Sequence, residues 1–202
     1  MRTIAIVPVK ALTEAKTRLA AVLSPAERAA LTLRTLRGVL AALDMPGIDL
    51  RLVVSPDETV LAEARAAGAL ALRQQGGGLN EGLEQARAEA IARGAGAILI
   101  VLGDLPLLAH DDVGTLLDLA ERPAIAIFAP DRHGTGTNAL LLCPPTALPF
   151  AFGAGSLARH RAAAAARGLL IRYYDAAGTA LDLDTPDDLA ALDAVAAASG
   201  AR

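Results

Sequence analysis

Tryptophan is absent from the 202 residues, and two tyrosines and three phenylalanines supply all the large aromatic rings. A nucleic-acid-binding surface needs rings to stack on bases and a basic face to follow phosphates. This chain offers neither: its 19 Lys+Arg are outweighed by 22 Asp+Glu, for a formal net charge of -3, and they are scattered outside the first loop. The single cysteine, Cys143, excludes an internal disulfide. Following Leu140-Leu141-Leu142 and preceding Pro144-Pro145, it is expected to end a buried strand in a reducing compartment. No apolar run reaches the length of a membrane span, and the first is broken by Lys10 before it could serve as a signal peptide. The expected protein is soluble and cytoplasmic, with neither nucleic acid nor membrane as a partner. Lysine is scarce too, Lys10 and Lys16 being the only two.

A hydrophobic fraction of 53% provides enough apolar surface for a sizeable core, and the length fits one domain over residues 1–202. Short β-branched runs alternate with longer alanine- and leucine-rich stretches at helical spacing, the pattern of a mostly parallel, Rossmann-like α/β sheet with helices on both faces. Strands are predicted over Thr3 to Val9, Leu50 to Val54, Ala69 to Arg73, Ala97 to Leu102, Ala124 to Phe128, Asn138 to Cys143 and Leu169 to Tyr174. Helices are predicted over Pro25 to Leu43, Glu58 to Ala67, Asn80 to Arg93, Asp111 to Leu119, Ser156 to Arg167 and Pro186 to Ala198. Ser24 with Glu27 three residues on reads as a capping box. Ser55-Pro56 and Thr185-Pro186 each place a capping hydroxyl before a proline at a helix start. Residues 194–202 are expected to fray. No internal repeat or long linker divides the chain.

Three segments interrupt the alternation: Arg73 to Asn80, Gly103-Asp104-Leu105-Pro106, and the glycine-rich stretch from Asp131 to Ser156. Ligands of open α/β sheets bind beyond the carboxyl ends of strands, where the first two of these fall. Lys10, Lys16 and Arg18 share one loop after the first strand, and ammonium groups there suit a polyphosphate as compact point charges. A solvated basic loop is the alternative. Asp104, at the end of the most apolar strand, suits magnesium, because a hard cation takes oxygen donors and leaves positions open for phosphate. Asp111 and Asp112 lie closer to the next helix and can cap it. In Ala180 to Leu189, Leu181 and Leu183 are expected on one side and Asp182 and Asp184 on the other. Two carboxylates on one face need a cation or basic group between them. Asp182 is the better metal candidate, Asp184 sitting at the helix entry beside Thr185, although the two assignments can exchange.

Backbone amides exposed by glycine in Asp131 to Asn138, together with Thr135, Thr137 and Asn138, can hold an anion. Phe152-Gly153-Ala154-Gly155-Ser156 places Ser156 at a helix start, where amides and dipole favour phosphate. His160, four residues on, should share its face. His160 and His133 have surface roles as their alternative, and His110 reads as a helix-entry residue. There is no GxSxG elbow, no GK[ST] phosphate loop and no zinc-ligand spacing, so covalent catalysis is unsupported. Basic loop, acidic metal ligands and two glycine-rich anion sites describe nucleotidyl transfer between phosphates.

Val7-Pro-Val-Lys-Ala-Leu-Thr-Glu-Ala-Lys-Thr-Arg-Leu19, Gly78-Leu-Asn80, Gly103 to Pro106, Asp131 to Asn138, Phe152 to Ser156 and Leu183 to Leu189 resemble, in order, the phosphoenolpyruvate or 2-phospho-L-lactate guanylyltransferases of coenzyme F420 biosynthesis. Within the wider molybdenum-cofactor nucleotidyltransferase-like superfamily, GDLP and DTPxDL are common. PVK with a downstream KTRL, and RxGTGT followed by FGxGS, are more specific. The resemblance implies a nucleotide-diphospho-sugar transferase-like fold. It also implies attack on GTP by the phosphate of phosphoenolpyruvate, 2-phospho-L-lactate or 3-phospho-D-glycerate, with release of pyrophosphate. By the same resemblance Lys10, Lys16 and Arg18 neutralise the triphosphate, and Asp104 and Asp182, with Asp184, hold magnesium. Asn138, standing where relatives are expected to carry threonine, binds the acceptor with Gly153 and Ser156. Pro8, Gly78 and Asn80 border the nucleotide. A homodimer, or contact with a downstream transferase of the pathway, is left open. Two rival readings remain: a same-fold enzyme with another nucleotide or acceptor, against which the absence of a glycine-rich LAGGxSxRMG first loop counts, and a non-catalytic nucleotide-binding partner.

Overall fold

Three strands are buried along their whole length: β1 (Thr3–Pro8), β4 (Ala97–Val101) and β6 (Thr137–Cys143). Covered on both faces, they read as continuous apolar runs rather than alternating ones. The computed structural model of the chain describes residues 1–120 and 124–200. The remaining strands are β2 (Leu50–Ser55), β3 (Leu70–Arg73), β5 (Ile125–Pro130) and β7 (Leu170–Tyr173), and the sheet order is β3-β2-β1-β4-β6-β5-β7. All neighbours are parallel except β6, which runs antiparallel to both β4 and β5. The sheet is therefore mostly parallel, as expected.

Alternate residues of each strand feed opposite layers. Ala5 and Val7 pack with α1 (Pro25–Ala42), α2 (Glu58–Ala66) and α4 (His110–Asp118), whereas Ile4 and Ile6 face α3 (Leu79–Ala92) and α5 (Ser156–Ala166). Burying Leu36, Val39 and Leu40 on one face and Leu83, Ala86 and Ala90 on the other removes helix and sheet surface from water together. Two short elements were not foreseen, a 3-10 turn at Thr17–Leu19 and α6 (Ala177–Ala180). α7 is described over Pro186–Gly200, and the end of the tail expected to fray, 201–202, lies outside the described residues.

Most helix starts follow their capping chemistry. Ser24 Oγ accepts from the Glu27 amide while the Glu27 carboxylate accepts from the Ser24 amide at 2.8 Å, with Pro25 in the first turn. At α7, Asp188 Oδ2 accepts from the Thr185 amide at 2.7 Å. The expected Ser55 cap is corrected: Ser55 belongs to β2 and pairs with Arg73, and Asp57 Oδ1 caps α2 by accepting from the amides of Thr59 and Val60. Strand pairing claims Ser55 because β3 extends alongside it.

Topology converges the functional segments. β1 and β4 are parallel neighbours, so the loop after Pro8 and the turn after Val101 leave the sheet at one edge. β6 enters at that same edge because it is antiparallel, and the Leu102 amide donates to the Asn138 carbonyl at 3.0 Å. Gly103 sits where β1 and β4 end together; a Cβ there would lie 3.0 Å from Val9 Cγ2.

Candidate active site

A cavity of about 560 Å³ opens at this edge, a size suited to a small-molecule ligand. Pro8 reaches it from the end of β1, Lys10, Lys16 and Arg18 from the loop that follows, and Asp104, Asp182 and Asp184 from the turns after β4 and α6. Asn138, Gly153 and Ser156 line it from β6 and the start of α5. Gly78 and Asn80, expected beside the nucleotide, do not line it; Leu79 between them does. Asn80 instead grips the neighbouring loop, its Oδ1 accepting from the Phe152 amide at 2.8 Å and its Nδ2 donating to the Phe152 carbonyl at 3.2 Å.

Lys16 is the central cation. Its backbone adopts φ 55 and ψ 35, a left-handed conformation costly for a residue with a Cβ. Its side chain is 4% exposed, and its Nζ donates to Asp104 Oδ2 at 2.9 Å and to Asp184 Oδ1 at 3.3 Å. Burial disfavours the charge on Lys16, but the Asp104 and Asp184 carboxylates outweigh it and hold its pKa above the ordinary lysine value. Lys10 and Arg18 remain exposed at the mouth.

The acidic side is incomplete. Asp104 Oδ1 is buried without a hydrogen-bond partner, although its other oxygen engages Lys16. Burial, and after it the charge of Asp104, push the Asp182 carboxyl above the usual carboxylate range. Two carboxylates in this state are short of positive charge. Among the described residues no group of three or more His, Cys, Asp or Glu side chains forms a metal cage. The two carboxylates, one with an unpartnered oxygen, are the oxygen donors a hard divalent cation takes, commonly one or two per ion with substrate phosphates completing the shell. Leu181 and Leu183 are buried and Asp182 and Asp184 face the cavity, as the alternation predicts. Asp112 rather than Asp104 caps α4, its Oδ2 accepting from the Ala109 amide at 2.8 Å.

Asn138 is 2% exposed, and its Nδ2 donates to the carbonyls of Thr179 and Ala180 at 3.0 and 3.2 Å and to Asp182 Oδ1 at 3.3 Å. Its donors thus anchor Asp182 and α6. The hydroxyl beside Ser156 comes from Thr137, one residue earlier, with the two oxygens 3.2 Å apart. The sequence names Thr137 with Thr135 and Asn138 as able to hold an anion, but does not pair it with Ser156. That pairing follows from the fold, in which Thr137 opens β6 opposite Pro130 of β5. His160 shares the face of Ser156 as expected, but the surface reading is corrected: it is fully buried, between the rings of Phe128 and Phe152. His133 is exposed at the cavity and His110 begins α4.

Residues 3–195 match the family described as "Guanylyl transferase CofC like". A phosphoenolpyruvate guanylyltransferase from Rubrobacter xylanophilus is 52% identical over 194 residues, covering 96% of this chain and 95% of its own. A 2-phospho-L-lactate guanylyltransferase from Methanothermobacter thermautotrophicus is 41% identical over 190 residues, covering 94% of this chain and 83% of its own. Among solved structures, a nucleotidyl transferase from the same genus superposes with a TM-score of 0.69 at 14% identity, over 95% of each chain, a likeness of fold. No described helix is long and apolar enough to cross a membrane.

Proposed function

We propose that this chain, which belongs to the CofC-like guanylyl transferase family, transfers GMP from GTP to the phosphate of phosphoenolpyruvate in the cytoplasm, a step of coenzyme F420 biosynthesis. An acceptor phosphate oxygen forms a bond to the α-phosphorus of GTP. The bond from that phosphorus to the oxygen bridging the β-phosphorus breaks, and pyrophosphate departs with the electron pair. The product is a guanosine diphosphodiester. Displacements of this kind depend on positioning and charge neutralisation more than on covalent help from the protein.

Lys10, Lys16 and Arg18 neutralise the triphosphate and the charge that accumulates on pyrophosphate. Asp104 and Asp182, with Asp184 beside them, are the residues that hold magnesium, which when bound supplies Lewis-acid neutralisation of phosphate oxygens. Ser156, the Gly153 backbone and Thr137 take the acid's anionic groups, and Asn138 acts on the site by fixing Asp182. Pro8 and Leu79 border the nucleotide, while Asn80 acts through Phe152. The observation that carries this reading is the state of Asp104, with one oxygen on Lys16 and the other buried and unpartnered in the cavity that Ser156 lines. Phosphoenolpyruvate is favoured over 2-phospho-L-lactate because the 52% relative is named for it and the 41% relative for the other.

The test is pyrophosphate release by purified protein with magnesium, each of four nucleoside triphosphates, and phosphoenolpyruvate, 2-phospho-L-lactate or 3-phospho-D-glycerate. Release confined to GTP with phosphoenolpyruvate, and lost in Asp104→Asn, is expected. Release with another nucleotide replaces guanylyl transfer by a different nucleotidyl transfer; GTP binding without release under any pairing makes the chain a nucleotide-binding partner.

A further inference from the structure

The Ala151 amide donates to His160 Nε2 at 2.9 Å, so this nitrogen must present a lone pair. The neutral ring then carries its hydrogen on Nδ1, which lies 3.1 Å from Thr137 Oγ1. Burial, with the nearby Arg159 charge adding to it, lowers the His160 pKa to about 4, which keeps the ring neutral. Thr137 Oγ1 in turn lies 3.2 Å from Ser156 Oγ.

Three hydrogens serve this chain: Nδ1–H and two hydroxyls. Nδ1–H goes to Thr137, and one hydroxyl hydrogen is shared between Thr137 and Ser156. One hydroxyl hydrogen is left over, and Thr137 and Ser156 are both lining residues of the cavity. With the other tautomer the count changes. Thr137 would turn its hydrogen inward to Nδ1, Ser156 would donate to Thr137, and none would remain for a ligand.

We propose that His160 is a positioning residue that, held in one tautomer by the Ala151 amide, turns the Thr137–Ser156 hydroxyl pair into an outward hydrogen-bond donor for an oxyanion of the phosphorylated acid. This rests on the guanylyl-transfer reading for the identity of the ligand, but the polarity of the pair does not. A pair whose lone pairs are engaged from behind donates to phosphate or carboxylate oxygen and offers little to a ligand that is itself only a donor. The Ala151 amide belongs to the segment that Asn80 clamps at Phe152. Loop position and hydroxyl polarity are thereby linked through one ring.

Two measurements test this. Long-range proton–nitrogen correlation spectra of the unliganded wild-type protein read the tautomer directly: a hydrogen on Nδ1 of a neutral His160 is expected, and a hydrogen on Nε2 overturns the proposal whether or not the protein turns over. Steady-state kinetics, begun once wild-type turnover is established, compare His160→Leu, His160→Asn, Thr137→Val and the double variants. Loss of one oriented hydrogen bond should raise the KM for the acid about tenfold in His160→Leu, with the KM for GTP within about twofold. His160→Asn keeps an N–H for Thr137 and should recover most of the loss. Added to Thr137→Val, either His160 substitution should have no further effect on the KM for the acid. Additive losses, or parallel rises in both KM values, reduce His160 to a packing residue. Where His160→Leu fails to fold, His160→Asn, its double with Thr137→Val and the spectra still decide. Absence of wild-type turnover with every acid tested counts against the guanylyl-transfer reading instead.

Discussion

Lys16 Nζ and Asp104 Oδ2 stand 2.9 Å apart across 88 positions of sequence, joining the loop after β1 to the turn after β4. The contact exists because β1 and β4 are adjacent and parallel, so both loops leave at one edge. Lys16→Met leaves two carboxylates facing a third without their cation. Turnover should fall by about 10²–10³, the usual effect of removing a preorganised charge from such a site. Stability should fall by about 1–3 kcal/mol, because the Asp104 carboxylate loses the hydrogen bond from Lys16. Pyrophosphate release and urea midpoints check this. Retained turnover removes Lys16 from the reaction.

Asp104→Asn keeps size but removes charge. Turnover should drop at least about 10³-fold, and binding of Mn²⁺, followed by electron paramagnetic resonance with GTP present, should weaken markedly. Folding should survive, because Asp112 caps α4. Undiminished Mn²⁺ binding would move the metal to other residues.

His160 should make stability depend on pH. Its pKa is lowered from 6.5 to about 4 in the folded chain, so between these values the unfolded state binds the extra proton. Stability is then fully present above about 6.5 and declines as pH falls towards 4, by on the order of 3 kcal/mol over the whole window. Urea midpoints of wild type and His160→Asn across that range check it. Equal slopes for the two would show that His160 is not the titrating group.

Asn80→Ala removes both bonds that hold Phe152. The glycine turn at 153–155 then loses one of its anchors, Arg159 still holding the Ala151 and Ala154 carbonyls, and the KM for the acid should rise about tenfold or more. The KM for GTP should change less, since Asn80 does not line the cavity. A larger effect on GTP would return Asn80 to the nucleotide role expected from sequence.

Gly178→Ala tests how α6 supports the metal side. A Cβ at Gly178 would fall 2.0 Å from Asp112 Oδ2, inside any tolerable contact. The Thr179 and Ala180 carbonyls that hold Asn138 would have to shift, and Asp182 with them. Weaker Mn²⁺ binding and a stability loss of about 1–3 kcal/mol are expected, read by the same resonance and urea measurements.

How much of this was legible follows from range. β1 and β4 announced themselves as apolar runs, and α1 by the Ser24–Glu27 box, because strand burial and capping leave local signatures. The carboxylates were legible as well, since Asp104 follows the most apolar strand and Asp182 alternates with buried leucines. The direction of β6 was not, being a property of its neighbours, and with it went the pairing of Thr137 with Ser156. Asn80 and Asn138 looked like ligand amides, and only the fold shows their donors spent 72 residues away on Phe152 and 44 away on Asp182. α6, four residues of alanine, glycine and threonine, has no apolar period to detect.

The most direct measurement follows the α-phosphorus itself: GTP labelled there, incubated with phosphoenolpyruvate, magnesium and purified protein, with the product examined by phosphorus NMR. The account predicts that the label joins the acid in a diphosphate diester, seen as two coupled phosphorus signals, alongside one pyrophosphate per product. Label remaining in GDP, with the terminal phosphoryl group transferred instead, or label released only as GMP, would contradict it.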